Sequence, residues 1–136
     1  MQEIIYIKTR KKQEIVDITE DVKSIVNNSN VDEGICLVYA KHATAAIIIN
    51  ENYDPNVCTD IINFLNTIIP EGRWLHDRID NNAAAHIKSA LLGPSECVPI
   101  KDKKLQLGTW QSIMLCEFDG PRNREIIVQI ISQNKK

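Results

Sequence analysis

Gln111-Ser-Ile-Met-Leu-Cys-Glu-Phe118, Asp119-Gly-Pro-Arg122 and Arg124-Glu-Ile-Ile-Val-Gln-Ile-Ile-Ser132 form the stretch whose reading decides the fold. The first segment reads as a long strand, the second as a tight turn made of turn-forming residues, and the third as a last strand rich in Ile and Val. In that last strand Ile126, Val128 and Ile130 alternate with Ile127 and Ile131, so both faces need cover. Glu117 and Arg122 flank the turn.

Working outward, further strands are expected at Glu3–Thr9, Gln13–Ile18, Gly34–Ala40, Ala45–Glu51, Cys97–Ile100 and Lys104–Leu107. The run Ile47-Ile48-Ile49 is too continuous for a strand with one wet face, so both its faces should be covered. Thr19 is placed to cap a short helix with Val22, Ile25 and Val26 on one side, ending in Asn27-Asn28-Ser29-Asn30. Asp54 then Pro55 supplies the N-cap and first position of a second helix, with Val57, Ile61, Phe64, Leu65 and Ile68 as its buried stripe. In a third helix, Asp80-Asn81-Asn82 offers capping oxygens and Gly93-Pro94 the stop. Its expected apolar face is Ala83, Ile87, Ala90 and Leu91, with His86 at the edge. The exposed N–H groups of its first turn suit an anion.

The chain of 136 residues fits one domain. A formal net charge of -2 and 5% aromatic residues give no electrostatic or stacking reason to bind nucleic acid or an anionic membrane. No apolar run approaches the roughly 20 residues that span a bilayer. Charges from Glu3 onward argue against a signal peptide, so the expected compartment is cytoplasmic. The cysteines Cys36, Cys58, Cys97 and Cys116 form no Cys-x-x-Cys pair, and free thiols are expected. Lys41, Arg73, Arg78, Lys88, Arg122 and Arg124 are anion candidates, most of them expected to be solvated charges.

Chemistry-bearing residues collect at the joints between elements. His42 lies at a strand junction. Asn50, Glu51 and Asp54 lie where a strand meets a helix. His76, Asp80 and His86 lie in and after the loop before the third helix. Trp110 and Gln111 follow the Gly108 break. Three histidines with a carboxylate are a ligand set for a divalent metal. If His42–Glu51 is one extended strand, its ends stand about 26 Å apart at ~3.3 Å per residue, so one chain cannot bring both to one substrate.

Taken as ordered blocks, His42-Ala-Thr-Ala-Ala-Ile, Asn50-Glu-Asn-Tyr-Asp-Pro, His86-Ile-Lys-Ser-Ala-Leu-Leu-Gly-Pro-Ser, Leu107-Gly-Thr-Trp-Gln and Glu117-Phe-Asp-Gly-Pro-Arg resemble the YjbQ-like family, also called secondary thiamine-phosphate synthase enzymes. Asp80-Asn81-Asn82-Ala83 departs from the glycine-rich loop of relatives. The resemblance implies one α+β domain over residues 1–136: a mixed, largely antiparallel sheet with about three helices packed on it. It also implies a homotrimer and a weak activity that joins a pyrimidine pyrophosphate to a thiazole phosphate, helped by magnesium. The family's polar motif positions include Thr44, Asn50, Trp110 and Arg122, expected to bind ligand, and Glu51, Asp54, Gln111 and Glu117, expected to act in catalysis. The metal, zinc or magnesium, is assigned to His42, His76, His86 and Asp80. The expected partner is a small phosphorylated or heteroaromatic molecule. The alternative is a trimer that binds a small ligand, or serves structure alone, without turnover.

Overall fold

Both long strands between Gln111 and Ser132 form, but they part at the turn and enter different sheets. In a computed structural model describing residues 1–133, β1 (Gln2–Lys8), β8 (Asn123–Ser132), β3 (Glu33–Ala40), β5 (Ser95–Lys101) and β6 (Lys104–Leu105) make one sheet in that order. β2 (Glu14–Asp17), β7 (Ser112–Glu117) and β4 (Ala45–Asn50) make a second. All the pairings are antiparallel. The helices are α1 (Thr19–Ser29), α2 (Pro55–Ile68) and α3 (Ala83–Leu92), with a 3-10 turn at Leu75–Arg78. The fold is α+β, as expected, with the strands divided between two sheets. The terminal residues 134–136, which their position at the chain end would let fray, fall outside the described residues.

The smaller sheet is buried on both faces, which is why β4 reads as an unbroken apolar run. Ala45, Ile47, Ile113 and Leu115 face the larger sheet and pack with Ile126, Val128, Cys36 and Val38, and Val22 and Val26 of α1 join that core. Ala46, Cys116 and Phe118 face the other way, against Leu65 of α2 and Ala84 and Ala85 of α3. The layers therefore run from larger sheet to smaller sheet to helices. Two glycines permit close approach. A methyl on Gly34 would overlap the Ile131 carbonyl, and one on Gly120 would strike the Lys11 carbonyl and the Glu117 side chain.

Several local expectations change. β4 begins at Ala45, so the strand is broken at Ala43-Thr44 and does not run from His42 to Glu51. Asp54 caps α2 as read, accepting from the Asn56 N–H at 2.9 Å. Thr19 does not cap α1, because its hydroxyl is turned to Asp17 Oδ1 at 2.6 Å. Asn82 occupies the N-cap of α3 without a side-chain cap. Asp77, from the 3-10 turn, accepts from the Ala83 N–H at 3.0 Å instead. A carboxylate thus already fills the place suggested for an anion.

The helices are also rotated from the expected stripes. On α2 the buried line runs through Leu65 to Ile69, and Phe64 and Ile68 are exposed. On α3 the buried side is Ala83, Ala84, Ala85, Lys88 and Ser89, while Leu91 is exposed. Of the apolar residues in β8, only Ile126, Val128 and Ile130 are fully covered within the chain. Ile131, on the opposite face, is open. All four cysteines are free thiols, as expected. Among the described residues no helix is long and apolar enough to cross a membrane.

Candidate functional site

The polar centre of the chain is a carboxylate and a guanidinium set into the strands on either side of the 119–122 turn. Glu117 ends β7 and is fully buried; Arg124, near the start of β8, is 3% exposed. Arg124 Nε donates to Glu117 Oε1 at 2.9 Å, and Nη2 donates to Glu117 Oε2. The same Nη2 reaches the Thr44 carbonyl at 3.1 Å and hydroxyl at 2.9 Å. Thr9 donates to Glu117 Oε1 at 2.7 Å, and the Asp119 N–H donates to Oε2 at 3.1 Å. Two buried charges are tolerated only when paired and hydrogen-bonded in this way. The pair pins Thr9, Thr44 and the final turn together.

From this hub the hydrogen bonds run to the histidines. Asp119 Oδ2 accepts from Asn82 Nδ2 at 2.9 Å and from Arg122 Nη2 at 2.9 Å. Burial raises the Asp119 pKa, but those bonds and the nearby guanidinium groups outweigh it, and the net shift is downward. Asn82 in turn sits at the N-cap of α3, and its carbonyl accepts from the His86 N–H. The rings of His86 and His76 meet edge to face, with centroids 4.9 Å apart. His76 Nε2 lies 3.7 Å from Asp80 Oδ2 and is buried with no hydrogen-bond partner among the described residues. The N–H groups of Ala83 and Trp74 hold the Asp77 carboxyl below the usual range.

His42 lies apart from that pair. Its Nε2 accepts the Glu125 N–H at 2.9 Å. Burial, then the Arg124 charge, lowers its pKa. A metal needs a free lone pair, and this one is already engaged. The four residues expected to share a metal do not assemble: His76, His86 and Asp80 gather, and His42 does not join them. Among the described residues no group of three His, Cys, Asp or Glu side chains is poised around an ion.

The remaining residues stand at the far end of the smaller sheet. Asn50 pairs with Ser112, whereas Ala45 pairs with Glu117, so the two ends are about 17 Å apart at ~3.3 Å per residue. Here exposed Trp110 meets Tyr53 edge to face, centroids 5.4 Å apart. Gln111 Oε1 accepts from the Gly108 N–H at 2.7 Å, and Asn50 Oδ1 accepts from the Glu51 N–H at 2.7 Å. Among the described residues the Glu51 carboxylate has only a long contact from the Asp54 N–H, at 3.3 Å.

Sequence reasoning passed over Thr9, Asp77, Asn82, Asp119 and Arg124 as parts of this network. Arg124 left a readable signal. It shares parity with Ile126, Val128 and Ile130, so it points into the core, and a buried arginine requires an acid.

These shifts predict the acid response. His42 is depressed, so the unfolded chain binds its proton first. The stability that neutral His42 contributes is complete above about pH 6.5 and is lost as pH falls below that value. Asp17 and Asp119 are also depressed. Their contributions are complete above about pH 3.9 and are lost below it. Urea midpoints measured from pH 8 to 3 should fall in two stages, and His42→Gln should lack the first. The same first stage in His42→Gln would show that another group titrates there.

The family model described as UPF0047 protein YjbQ-like matches residues 3–133. A UPF0047 protein of Methanocaldococcus jannaschii is 52% identical over 125 residues, 92% of this chain and 90% of that one. The Bacillus subtilis UPF0047 protein YugU is 39% identical over 131 residues, 96% and 99% of the two chains. Among solved structures, a protein of unknown function from Sulfolobus solfataricus superposes with a TM-score of 0.95 at 40% identity, covering 98% of this chain and 97% of that one. An uncharacterised protein from Clostridium acetobutylicum does so with a TM-score of 0.91 at 43% identity, covering 95% and 99%.

Proposed function

This chain belongs to the YjbQ-like UPF0047 family, and from that premise we propose that it is a metal-assisted transferase of small phosphorylated or heteroaromatic substrates. The reaction best named for it joins a pyrimidine pyrophosphate to a thiazole phosphate and releases pyrophosphate. The observation that carries the proposal is the convergence of His76, His86 and Asp80 beside α3, with His76 Nε2 left without a protein partner among the described residues. A divalent ion, zinc or magnesium, bound beside those residues would supply positive charge against the departing pyrophosphate. The orphaned His76 nitrogen and the Asp80 carboxylate, 3.7 Å apart, offer two donors; among the described residues no third side chain closes a ligand group with them, so the remaining donors would come from water or a neighbouring copy. The chain's own network holds the backbone at His86 through Asn82 and Asp119.

At the other end of the smaller sheet, Glu51 is the least engaged of the proposed catalytic side chains, and Trp110 offers a face for a heteroaromatic ring. Asp54 and Gln111 are tied to backbone N–H groups, and Glu117 is closed inside its ion pair, so these three serve chiefly to shape the site. Thr44 and Arg122, proposed as ligand contacts, are bonded to Arg124 and Asp119. Those engagements favour a second reading, a trimer that binds a ligand without turnover.

Purified protein incubated with both precursors and magnesium separates the two readings. Product above a His86→Ala control supports the transferase, and its absence removes that reading. Independently, metal content of the protein as purified should fall several-fold in His86→Ala at unchanged unfolding midpoint, because one of few ligands is gone. Occupancy should also drop in acid, where protons compete for imidazole. Equal metal content in the variant would return the histidines to a structural role.

A further inference from the structure

A cleft of about 490 Å³ opens at the end of β1 and is lined by Tyr6, Lys8, His42, Asn123, Arg124 and Glu125. It shares no residue with the His76–His86 pair. Register explains the lining, since Lys8 pairs with Asn123 and Tyr6 with Glu125.

The cleft presents donors. His42 Nε2 accepts the Glu125 N–H, so the single proton of the neutral ring sits on Nδ1. That Nδ1–H makes no hydrogen bond among the described residues. The Lys8 ammonium is exposed, and no carboxylate pairs with it among the described residues. The Asn123 amide and the Tyr6 hydroxyl add two more donors. Arg124 lies beneath, almost fully buried. Glu117 and Thr44 take its Nε and Nη2 hydrogens, and Nη1 makes no hydrogen bond among the described residues. Against these stands one exposed carboxylate, Glu125. An ammonium, an imidazole N–H and an amide around one opening suit an anion with several acceptor oxygens better than a carboxylate with two.

We propose that this cleft binds the phosphate group of a small molecule, with Lys8 and the His42 Nδ1–H as its principal contacts. The proposal stands apart from the transferase reading, since binding here needs neither metal nor turnover. The test uses the full chain, inorganic phosphate as probe and acetate as the carboxylate comparison, followed by amide NMR. Phosphate should bind more tightly than acetate and shift the Glu125 amide, whose N–H rests on His42. Lys8→Ala, an exposed change that leaves the fold alone, should weaken phosphate binding by about tenfold, the scale of a lost hydrogen bond to a charged group. His42→Gln should weaken it further while catalysis is not part of the readout. Phosphate binding that is absent, equal to acetate, or unchanged in Lys8→Ala with a silent Glu125 amide would overturn the site.

Discussion

Glu117→Gln should lower stability by about 3–5 kcal/mol, the cost of leaving one member of a buried ion pair without its partner. The substitution conserves shape, so little of the loss can be a cavity. It removes the charge facing Arg124, which is 3% exposed. It also turns one carboxylate oxygen into an NH₂ group, while the four donors now on that carboxylate are Thr9 Oγ1, the Asp119 N–H, and Arg124 Nε and Nη2. Whichever way the amide is placed, a donor faces a donor. At a urea slope near 2 kcal/mol/M the midpoint should fall by roughly 2 M. The double variant Glu117→Leu with Arg124→Met should be clearly more stable than either single change, because it buries no charge at all. The measurement also discriminates function. A Glu117→Gln protein that keeps its midpoint and loses only activity would make Glu117 a catalytic residue and refute the structural role.

Why that pair escaped a reading of the sequence shows where local reasoning stops. The strands, the Asp54-Pro55 helix start and the two buried faces of Ile47–Ile49 follow from patterns within a few residues. The partition of β7 and β8 into different sheets does not, since a strand–turn–strand pattern is the same whether the strands pair or separate. Where the strands part lies Gly120, at which the backbone approaches Lys11 and Glu117 too closely for a side chain. The helix faces are hidden from local pattern for a related reason. A run of alanines in α3 weights no side strongly, and the face that turned inward carries Lys88, 1% exposed, bonded to Asn66 Oδ1 and lying 5.8 Å from the Phe118 ring centre. Burial lowers the pKa of that ammonium. Local propensity does not anticipate a buried lysine. Of the candidate site, the pairing of His76 with His86 was legible from their shared segment. The exclusion of His42 required knowing that the Glu125 N–H would reach it across 83 residues of sequence.

Mixing two inactive variants, His86→Ala and Glu51→Gln, should restore about a quarter of wild-type activity. That value holds if equal amounts reassemble randomly into rings of three and each site joins one residue from each of two neighbouring chains. The reasoning begins with distance. The histidines stand at the Glu117 end of the smaller sheet and Glu51 beyond the Ser112 end, about 17 Å away along β7 at ~3.3 Å per residue. No motion short of unfolding the smaller sheet shortens that span within one chain. The surface supplies the second step. One outer layer exposes Ile4, Ile35, Tyr39 and Ile131 on the larger sheet, and the opposite layer exposes Phe64, Ile68, Leu75, Ile79 and Leu91 on and around the helices. Two different apolar faces on opposite layers suit head-to-tail contact, in which each copy offers one face to the other face of the next. If three copies close into a ring through these faces, the ring would bring the His86 end of one copy toward the Glu51 end of its neighbour. In a random mixture, a site is intact when the chain giving His86 carries the Glu51 change and the chain giving Glu51 carries the His86 change, each with a chance of one half. Sedimentation of the unmixed protein should show a trimer. Activity in the mixture that stays at the level of the separate variants, after dissociation and reassembly verified by exchange of a tagged chain, would place both residues' functions within single chains and end the shared-site proposal.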